Sequence, residues 1–171
     1  YTPREVVELQ VRLASELLEK RFEKKLGFAD DGVVFLDPAV GTGTYPVAAV
    51  KHGLDRVAER SGGPAVPARA QQMAENMLGF EVLVGPYAVA HLRLTQALEG
   101  AMNAHRTPTD PELTLAKRLN IFLADTLESP TASPPGGFDL THKALTDEHE
   151  AARRVKNEGS VLVCLGNPPY D

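Results

Sequence analysis

The sequence predicts an α/β domain built on a parallel, doubly wound sheet, and two observations support this prediction. Four short β-rich apolar runs stand at 32–36, 79–82, 119–124 and 161–165. Stretches with apolar residues at helical spacing separate them, which is the order typical of βαβ units. In such sheets ligands bind outside the carboxyl ends of the strands, so the residues that follow each run are the candidates for chemistry.

The first predicted element is an amphipathic helix over residues 1–26, whose apolar residues lie three and four positions apart. Thr2 is expected to cap the free amides, and Pro3 suits the first helical position. Glu5, three residues after Thr2, would complete a capping box. Gly27 is expected to end this helix.

The first strand leads through glycines into a helix predicted from Thr44 to about Arg60, which gives a strand, turn, helix unit. Further helices are predicted at 65–78, 88–98 and 147–158, and exposed connections at 103–112 and 129–138. Each predicted strand ends in a polar or turn-forming group. We expect these groups to meet in one crevice, and they are Asp37, Glu81, Asp125, and Asn167 with Tyr170.

Length and charge favour one ordinary domain and exclude a strongly basic surface. The chain has 171 residues with 18 Lys and Arg against 23 Asp and Glu, a formal charge of −5. This negative net charge argues against a protein that binds nucleic acid through electrostatic attraction alone. Because the chain begins at Tyr1 and stops at Asp171 directly after an apolar run, residues 1–171 are expected to be a fragment of a longer chain.

The single cysteine and the absence of long apolar runs point to a reducing compartment. Cys164 excludes an internal disulfide framework, and its place in an apolar run predicts an inert core residue. No run approaches the roughly 20 apolar residues of a membrane helix, and no signal segment opens the chain. We therefore expect a cytoplasmic protein without a membrane partner.

The most informative string is Asp-Pro-Ala-Val-Gly-Thr-Gly-Thr at 37–44. Glycines after a buried strand let the backbone approach a ligand, and the next helix offers unpaired N–H groups and a positive dipole end. The string lacks the Lys of a phosphate-binding loop and the third Gly of the dinucleotide fingerprint. It suits a ligand with an amino group and a carboxylate together, such as the methionine half of S-adenosylmethionine. A plain structural turn is the alternative.

With these motifs the chain resembles the amino-methylating DNA methyltransferases in which the cofactor motifs precede the catalytic one. Residues 37–44 are similar to their first cofactor motif, and Thr2-Pro3 to the motif that completes the cofactor pocket. Asn-Pro-Pro-Tyr at 167–170 resembles the catalytic motif typical of adenine-N6 enzymes. As a whole the chain most resembles the methyltransferase part of type ISP restriction-modification enzymes.

The resemblance implies an incomplete, Rossmann-like methyltransferase sheet with its first four strands and the N-terminal helix, forming the N-terminal, cofactor-binding part of a methyltransferase domain. S-adenosylmethionine is the implied cofactor. Asp37 would lie near its methionine amino group, Glu81 would accept hydrogen bonds from the ribose hydroxyls, and Asp125 from the adenine amine. The full implied set is Thr2, Pro3, Asp37, Pro38, Ala39, Gly41, Thr42, Gly43, Thr44, Glu81, Asp125 and Thr126.

Two further expectations concern spacing. Glu81 lies 38 positions after Gly43, whereas the acidic residue of dinucleotide folds follows the glycines by about 20. An extra helix is therefore expected between them. The five histidines show no metal-ligand spacing with one another, so no metal site is expected.

The implied catalytic residues are Asn167, Pro168, Pro169 and Tyr170. The exocyclic amine of adenine is a poor nucleophile because its lone pair is delocalised into the ring. The Asn167 side-chain carbonyl and the Pro168 backbone carbonyl, held by proline rings, would accept both N–H bonds and favour the attacking form of nitrogen. The base would have to leave the duplex, and Tyr170 would offer a face for stacking.

Two alternatives stay open. The same motif occurs in enzymes that methylate a glutamine amide (N5) of release factors, and a catalytically inactive S-adenosylmethionine-binding module is a third reading. The Thr2-Pro3 helix start and the Asp-Pro-Ala opening of the glycine string favour DNA. Double-stranded DNA is then the expected partner, contacted through parts of the parent chain not present here, and nuclease or helicase domains in that parent are left open.

Overall fold

A parallel sheet forms the centre of the molecule, as the apolar runs predict. The structure is a computed structural model that describes residues 2–127, 148, 150–152 and 160–168. In these residues the strand order is β3-β2-β1-β4, with every neighbouring pair parallel. The strands are β1 Phe35–Asp37, β2 Met77–Glu81, β3 Asn120–Leu123 and β4 Val163–Cys164. The predicted α/β class is confirmed.

Helices cover the sheet and connect its strands. Their bounds are α1 Arg4–Phe22, α2 Thr44–Ser61, α3 Val66–Asn76 and α4 Val84–Ala104, with 3-10 turns at Gly27–Ala29 and Gly63–Ala65. Helix α3 is the extra helix that the spacing between Gly43 and Glu81 predicts. Within the described ranges, no helix combines the length and apolar character needed to cross a bilayer.

The register brings the carboxyl ends of β1 and β2 side by side. Phe35 pairs with Met77, and Asp37 pairs with Gly79, so the polar residue at the end of β1 faces the middle of β2. On its other side β1 pairs with β4 through Phe35 and Val163. Strand order reverses between β1 and β4, which is the position where open α/β sheets bind ligands.

The core lies where α1 and α2 pack on each other and on the sheet. Val7, Val11 and Leu18 of α1 are buried, as are Val50 and Val57 of α2. Burial of such side chains contributes about 1.5–3 kcal/mol each relative to exposure. This packing fixes the N-terminal end of α1 against the part of the domain that carries residues 37–44.

The predicted capping box is wrong. Pro3 occupies the N-cap position of α1, and no side chain caps this helix. The Pro3 carbonyl accepts hydrogen bonds from the backbone N–H groups of Val6 and Val7. The helix therefore begins one residue later than predicted, and Thr2 lies outside it without capping the first amides. The predicted end at Gly27 is also wrong, because α1 ends at Phe22 and Glu23 adopts a left-handed conformation with φ 59°.

Other boundaries shift for local reasons. Gly32 has φ 71° and belongs to a turn, so β1 begins at Phe35 instead of 32. Strand β2 begins at Met77, and α4 continues to Ala104, past the start of the predicted connection at 103. The predicted connection 129–138 lies outside the described residues. So does the predicted helix 147–158, except for positions 148 and 150–152, which are helical.

Cys164 is exposed, which corrects its predicted place in the core. Strand β4 has two residues and stands at the edge of the described sheet, so one face of Cys164 is left to solvent. Partial desolvation and the nearby Asp37 carboxylate raise the pKa of the Cys164 thiol. The side chain is therefore a neutral thiol near pH 7, which does not suit a nucleophile.

Candidate functional site

The glycine loop, residues 38–43, requires its two glycines for backbone reasons. Gly41 has φ 56° and Gly43 has φ 80°, both in the left-handed region that favours glycine. Gly43 is also the N-cap of α2. A Cβ on Gly43 would lie 3.3 Å from the Ala90 Cα, so the loop is packed directly against α4. The loop therefore turns tightly enough to place the N-terminus of α2 above the end of β1.

Gly79 of β2 lets the glycine loop lie on the sheet. A Cβ at this position would stand 2.2 Å from Val40 Cγ2 and 2.9 Å from Ile121 Cδ1. The Val40 N–H donates to the Phe80 carbonyl over 2.9 Å, which fastens the loop to β2. Sequence reasoning did not identify Gly79. Its signal was a glycine inside a strand pattern, which often marks a close backbone approach.

Glu81 holds the glycine loop from the end of β2. Its Oε2 accepts a hydrogen bond from the Gly41 N–H at 2.9 Å, and its Oε1 accepts one from the Leu83 N–H at 2.8 Å. Hydrogen bonds to a charged acceptor are worth about 1.5–3 kcal/mol. Glu81 and Gly41 are thus brought together as the sequence predicts, whereas a ribose contact by Glu81 stays a prediction.

Asp37 is a buried carboxyl group with one partner. The residue is 1% exposed, and its Oδ1 accepts a hydrogen bond from the Ala39 N–H at 3.1 Å. Its Oδ2 is buried without a hydrogen-bond partner among the described residues. Burial raises the pKa of Asp37 to about 7, the Ala39 N–H opposes this shift, and the Glu81 carboxylate adds to it. The group is therefore poised to gain a charge when a cation approaches.

Gly166 lies directly over Asp37. A Cβ on Gly166 would stand 2.3 Å from Asp37 Oδ1 and 3.0 Å from Pro38 Cδ. The Leu165 N–H donates to the Leu36 carbonyl at 2.9 Å, so the chain stays paired with β1 up to this point. Residues 165–168, which we name the catalytic turn after the role predicted for Asn167, are thereby held against the end of β1.

Asn167 meets Thr2 across the cleft. Asn167 Nδ2 donates a hydrogen bond to Thr2 Oγ1 at 2.8 Å, and both residues are half-buried. Pro168 is exposed, and the predicted residues Pro169 and Tyr170 lie outside the described residues. The N-terminal motif and the catalytic turn are therefore in direct contact, although Thr2 was expected to cap α1.

A cavity of about 700 Å³ joins the glycine loop, α1 and the catalytic turn. Six predicted site residues line it, namely Thr2, Ala39, Gly41, Thr42, Thr44 and Asn167. Four charged residues that sequence reasoning missed line it too, namely Arg4, Glu8, Lys51 and Arg93. Helical spacing was the available signal for Lys51, which lies seven positions after Thr44 and so on the same face of α2.

Arg93 fastens the glycine loop from α4. Its Nη1 donates to the Thr42 carbonyl at 2.8 Å and to the Thr42 hydroxyl at 3.1 Å. At the opposite rim Arg4 pairs with Glu8 at 2.7 Å in an exposed ion pair. The sequence carried no signal for Arg93, because its partner is 51 positions away.

The other predicted site residues do not line the cavity, and these are Pro3, Asp37, Pro38, Gly43, Glu81, Asp125, Thr126 and Pro168. Thr126 lies beside the loop, where its hydroxyl donates to the Pro38 carbonyl. Asp125 is exposed, and its Oδ1 accepts from the Leu127 N–H at 2.8 Å. Their ligand roles stay predictions. In the part of the chain that the structure describes, no group of three or more His, Cys, Asp or Glu could hold a metal ion.

Comparison with known proteins gives matches among solved structures. The ATP-dependent type ISP restriction-modification enzyme LlaBIII bound to DNA matches with a TM-score of 0.70 and 24% identity, over 100% of this chain and 10% of that chain. A nuclease-deletion mutant of the type ISP restriction-modification enzyme LlaGI, in complex with a DNA substrate mimic, matches with a TM-score of 0.71 and 23% identity, over 100% and 13%. The DrdV–DNA complex matches with a TM-score of 0.70 and 28% identity, over 100% and 14%.

These matches show a shared fold over the whole chain. The sheet and its helices correspond to a partial Rossmann-like fold in restriction-modification enzymes. The chain spans between 10% and 14% of the three matched chains. No protein-family model and no curated protein sequence matches it.

Proposed function

We propose that this chain is the cofactor-binding and catalytic part of a DNA methyltransferase within a larger restriction-modification enzyme. It would transfer a methyl group from S-adenosylmethionine to the N6 amine of a flipped adenine. One observation carries the proposal: Gly41 of the glycine loop and Asn167 of the catalytic turn line the same cavity. A cofactor site and an amine-binding group must share one space for direct methyl transfer.

The residues present fit S-adenosylmethionine. A volume of about 700 Å³ lies within the roughly 300–1,000 Å³ of small-molecule sites. The N-terminus of α2, entered through Gly43, favours a carboxylate. Asp37 Oδ2 is a buried acceptor without a partner among the described residues, and an ammonium group of the cofactor would have to reach it from beyond the cavity, which Asp37 does not line. Glu81, Asp125 and Thr2 would complete the binding of the ribose, the adenine and the methionine end.

The chain's own residues would supply hydrogen bonding and position. When bound, the cofactor provides a sulfonium methyl group, so that a C–N bond forms while the C–S bond breaks. The Asn167 side-chain carbonyl and the Pro168 backbone carbonyl would accept the two N–H bonds of the target amine. They would draw its lone pair back onto nitrogen, and the proton would leave after the transfer. Catalysis of this kind depends on preorganised acceptors and needs no general base.

DNA is the substrate best supported by the observations. The matched solved structures include two type ISP restriction-modification enzymes with DNA or a DNA mimic, and a third protein in complex with DNA. The charge of −5 agrees with a DNA-binding surface that lies mostly outside this chain. Nuclease or helicase domains in the same polypeptide would fit such an enzyme.

The proposal is tested with the full-length protein and two substrates. Calorimetric titration with S-adenosylhomocysteine should give binding in the micromolar range. Incubation with methyl-labelled S-adenosylmethionine should place label on unmethylated plasmid DNA, recovered as N6-methyladenine by mass spectrometry, and not on a release factor in a parallel reaction. Label in a release-factor glutamine, or no cofactor binding at all, would overturn the proposal.

A further inference from the structure

We infer that Lys51 binds the carboxylate at the amino-acid end of the cofactor. The inference rests on the proposed function and adds to it a contact that the sequence motifs do not include. It starts from the part of the cavity beyond the glycine loop, where residues of α1 and α2 form the walls. Helix α2 contributes Thr44, Val47, Ala48 and Lys51, which have the spacing of a single helix face.

The charged side chains in the cavity wall differ in sign from the chain as a whole. Three cationic side chains line the cavity, Arg4, Lys51 and Arg93, together with one acidic side chain, Glu8. The wall therefore has a formal charge of +2, whereas the whole chain has −5. This local excess of positive charge favours a ligand whose enclosed end is negatively charged.

Among these three cations, Lys51 is the one left for a ligand. Arg4 pairs with Glu8 at 2.7 Å, and Arg93 holds the glycine loop through two hydrogen bonds. Within the described residues, the Lys51 ammonium has no hydrogen bond and no ion pair. The hydrogen bond from Arg4 is the main cause that lowers the pKa of Glu8, and the Lys51 charge makes a smaller contribution. Glu8 is therefore an ionised neighbour of Lys51 whose principal partner is Arg4.

The direction of helical side chains carries the Lys51 ammonium toward the carboxylate. Long side chains on a helix point back toward its N-terminus, so Lys51 extends along the cavity toward Thr44. The unpaired N–H groups of the first turn of α2 favour the same carboxylate. Val7 of α1, with Val47 and Ala48 of α2, gives this part of the cavity an apolar lining. Such a lining suits the methylene groups that precede the carboxylate.

A DNA phosphate is the other anion that the proposed function would bring to this protein, and the cavity favours the carboxylate. Its volume of about 700 Å³ suits a small molecule or one extruded base, whereas the backbone of a duplex stays outside. Lys51 lines this enclosed space together with Gly41 of the glycine loop. The cofactor is therefore the ligand whose charge it meets.

The test uses two ligands that differ only in the carboxylate, S-adenosylhomocysteine and its decarboxylated form. Both are titrated by calorimetry into the full-length protein carrying Lys51→Gln, which removes the charge, or Lys51→Arg, which keeps it. We expect Lys51→Gln to weaken S-adenosylhomocysteine binding by about 5–20-fold, a moderate effect because Lys51 is exposed and solvent weakens the contact. Affinity for the decarboxylated form should change by less than about twofold, and Lys51→Arg should keep most of the affinity for both.

Methyl transfer to unmethylated plasmid DNA gives a second readout. Lys51→Gln should slow transfer more at limiting than at saturating S-adenosylmethionine, because it weakens binding of the cofactor. Lys20→Gln, at an exposed lysine of α1 that pairs with Glu16, is the matched control and should leave both affinities unchanged.

Three results would overturn the inference, and two of them leave the proposed function intact. Equal weakening of both ligands by Lys51→Gln would show that the residue acts on the structure of the site and not on the carboxylate. An unchanged affinity for S-adenosylhomocysteine would overturn the inference as well, and slower transfer in that variant would assign Lys51 to DNA. A wild-type protein that binds no S-adenosylhomocysteine would overturn both the inference and the proposed function.

Discussion

The two walls of the cavity are built differently. The glycine loop is held by side chains from three places in the fold: Glu81 at the end of β2, Arg93 on α4, and Thr126 after β3. The catalytic turn follows a strand of two residues at the edge of the described sheet, and its Pro168 is exposed. One wall is supported by the fold around it, whereas the other depends on close packing at Gly166 and on a contact with Thr2.

The difference fits the two tasks that the proposed function assigns to these walls. A cofactor that is used in every cycle benefits from a preformed site, because a rigid loop avoids an ordering cost on binding. A wall that binds a flipped base must be reachable from solvent, and Pro168 in the catalytic turn is exposed. We therefore expect changes in the glycine-loop wall to alter stability and cofactor affinity, and changes in the catalytic turn to alter the rate of transfer.

The largest expected effect is on the catalytic side. Asn167→Ala removes one of two proposed acceptors and should lower the single-turnover rate of DNA methylation by about 10²–10³-fold, as loss of one preorganised hydrogen bond does elsewhere. Affinity for S-adenosylhomocysteine, measured by calorimetry, should stay within a few-fold. An Asn167→Ala protein that loses both S-adenosylhomocysteine affinity and transfer rate would contradict the proposed difference between the two walls.

Next in size is Gly79→Ala, which tests how firmly the loop rests on the sheet. The added Cβ would meet Val40 Cγ2 at 2.2 Å and Ile121 Cδ1 at 2.9 Å. Overpacking of this kind destabilises a protein by about 1–3 kcal/mol. Urea unfolding followed by circular dichroism measures it. Gly100→Ala is the control, since nothing lies within 4 Å of a Cβ there and the residue is helical; equal losses at both glycines would contradict the packing argument.

Asp37→Asn tests the buried carboxyl through its pH dependence. The folded pKa of Asp37 is raised to about 7, above the unfolded value of about 3.9. Between these values the folded protein keeps a proton that the unfolded chain has lost, so the free energy of unfolding falls as pH rises from about 4 to 7. Asparagine removes this fall, so relative to wild type the variant should gain on the order of 4 kcal/mol of unfolding free energy between pH 4 and pH 8.

The measurement is the urea midpoint at both pH values. Asp31→Asn is the matched control, because Arg69 lowers the pKa of this exposed carboxyl. Its small contribution to stability is present above the unfolded pKa and is lost as pH falls, which is the opposite trend. An Asp37→Asn protein whose pH profile equals that of wild type would show that the carboxyl is not held neutral by burial.

Glu81→Gln should give the smallest effect. The single amide oxygen of glutamine can accept from the Gly41 N–H or from the Leu83 N–H but not from both, and the charge of the acceptor is gone, so part of two bonds worth about 1.5–3 kcal/mol each is lost. We expect about a tenfold weaker affinity for S-adenosylhomocysteine with little change in the saturated rate. Glu75→Gln, in an exposed ion pair with Lys117, should leave affinity unchanged.

Local patterns predicted the framework of the site well. Asp37 ends β1 and Glu81 ends β2, as the ends of the predicted strands indicate. The start of α2 at Thr44 is as predicted, and so is the inserted helix between Gly43 and Glu81. These features depend on side-chain periodicity and on the conformational freedom of glycine, both of which act over a few residues.

Contacts between distant residues could not be predicted in the same way. Thr2 satisfies the local pattern of a capping residue, but Pro3 takes that position, and the hydroxyl bonds to Asn167 instead. Arg93 reaches Thr42 only because α4 packs against the loop. Cys164 reads as a core residue from its apolar neighbours, yet β4 stands at an edge of the described sheet. Each outcome is decided by tertiary packing, which periodicity does not encode.

The pairing of β4 with β1 has a consequence for how this scaffold tolerates change. Two residue pairs fix its register, Phe35 with Val163 and Leu36 with Cys164. A longer connection between β3 and β4 would cost little, because doubling the length of a flexible loop costs only about 0.6 kcal/mol in closure entropy. A shift of β4 by one residue relative to β1 would move each of its side chains to the opposite face of the sheet. The Asn167 side-chain amide that follows would then point away from the cavity. Insertions in that connection are therefore expected to spare function, whereas a one-residue deletion inside β4 would abolish it.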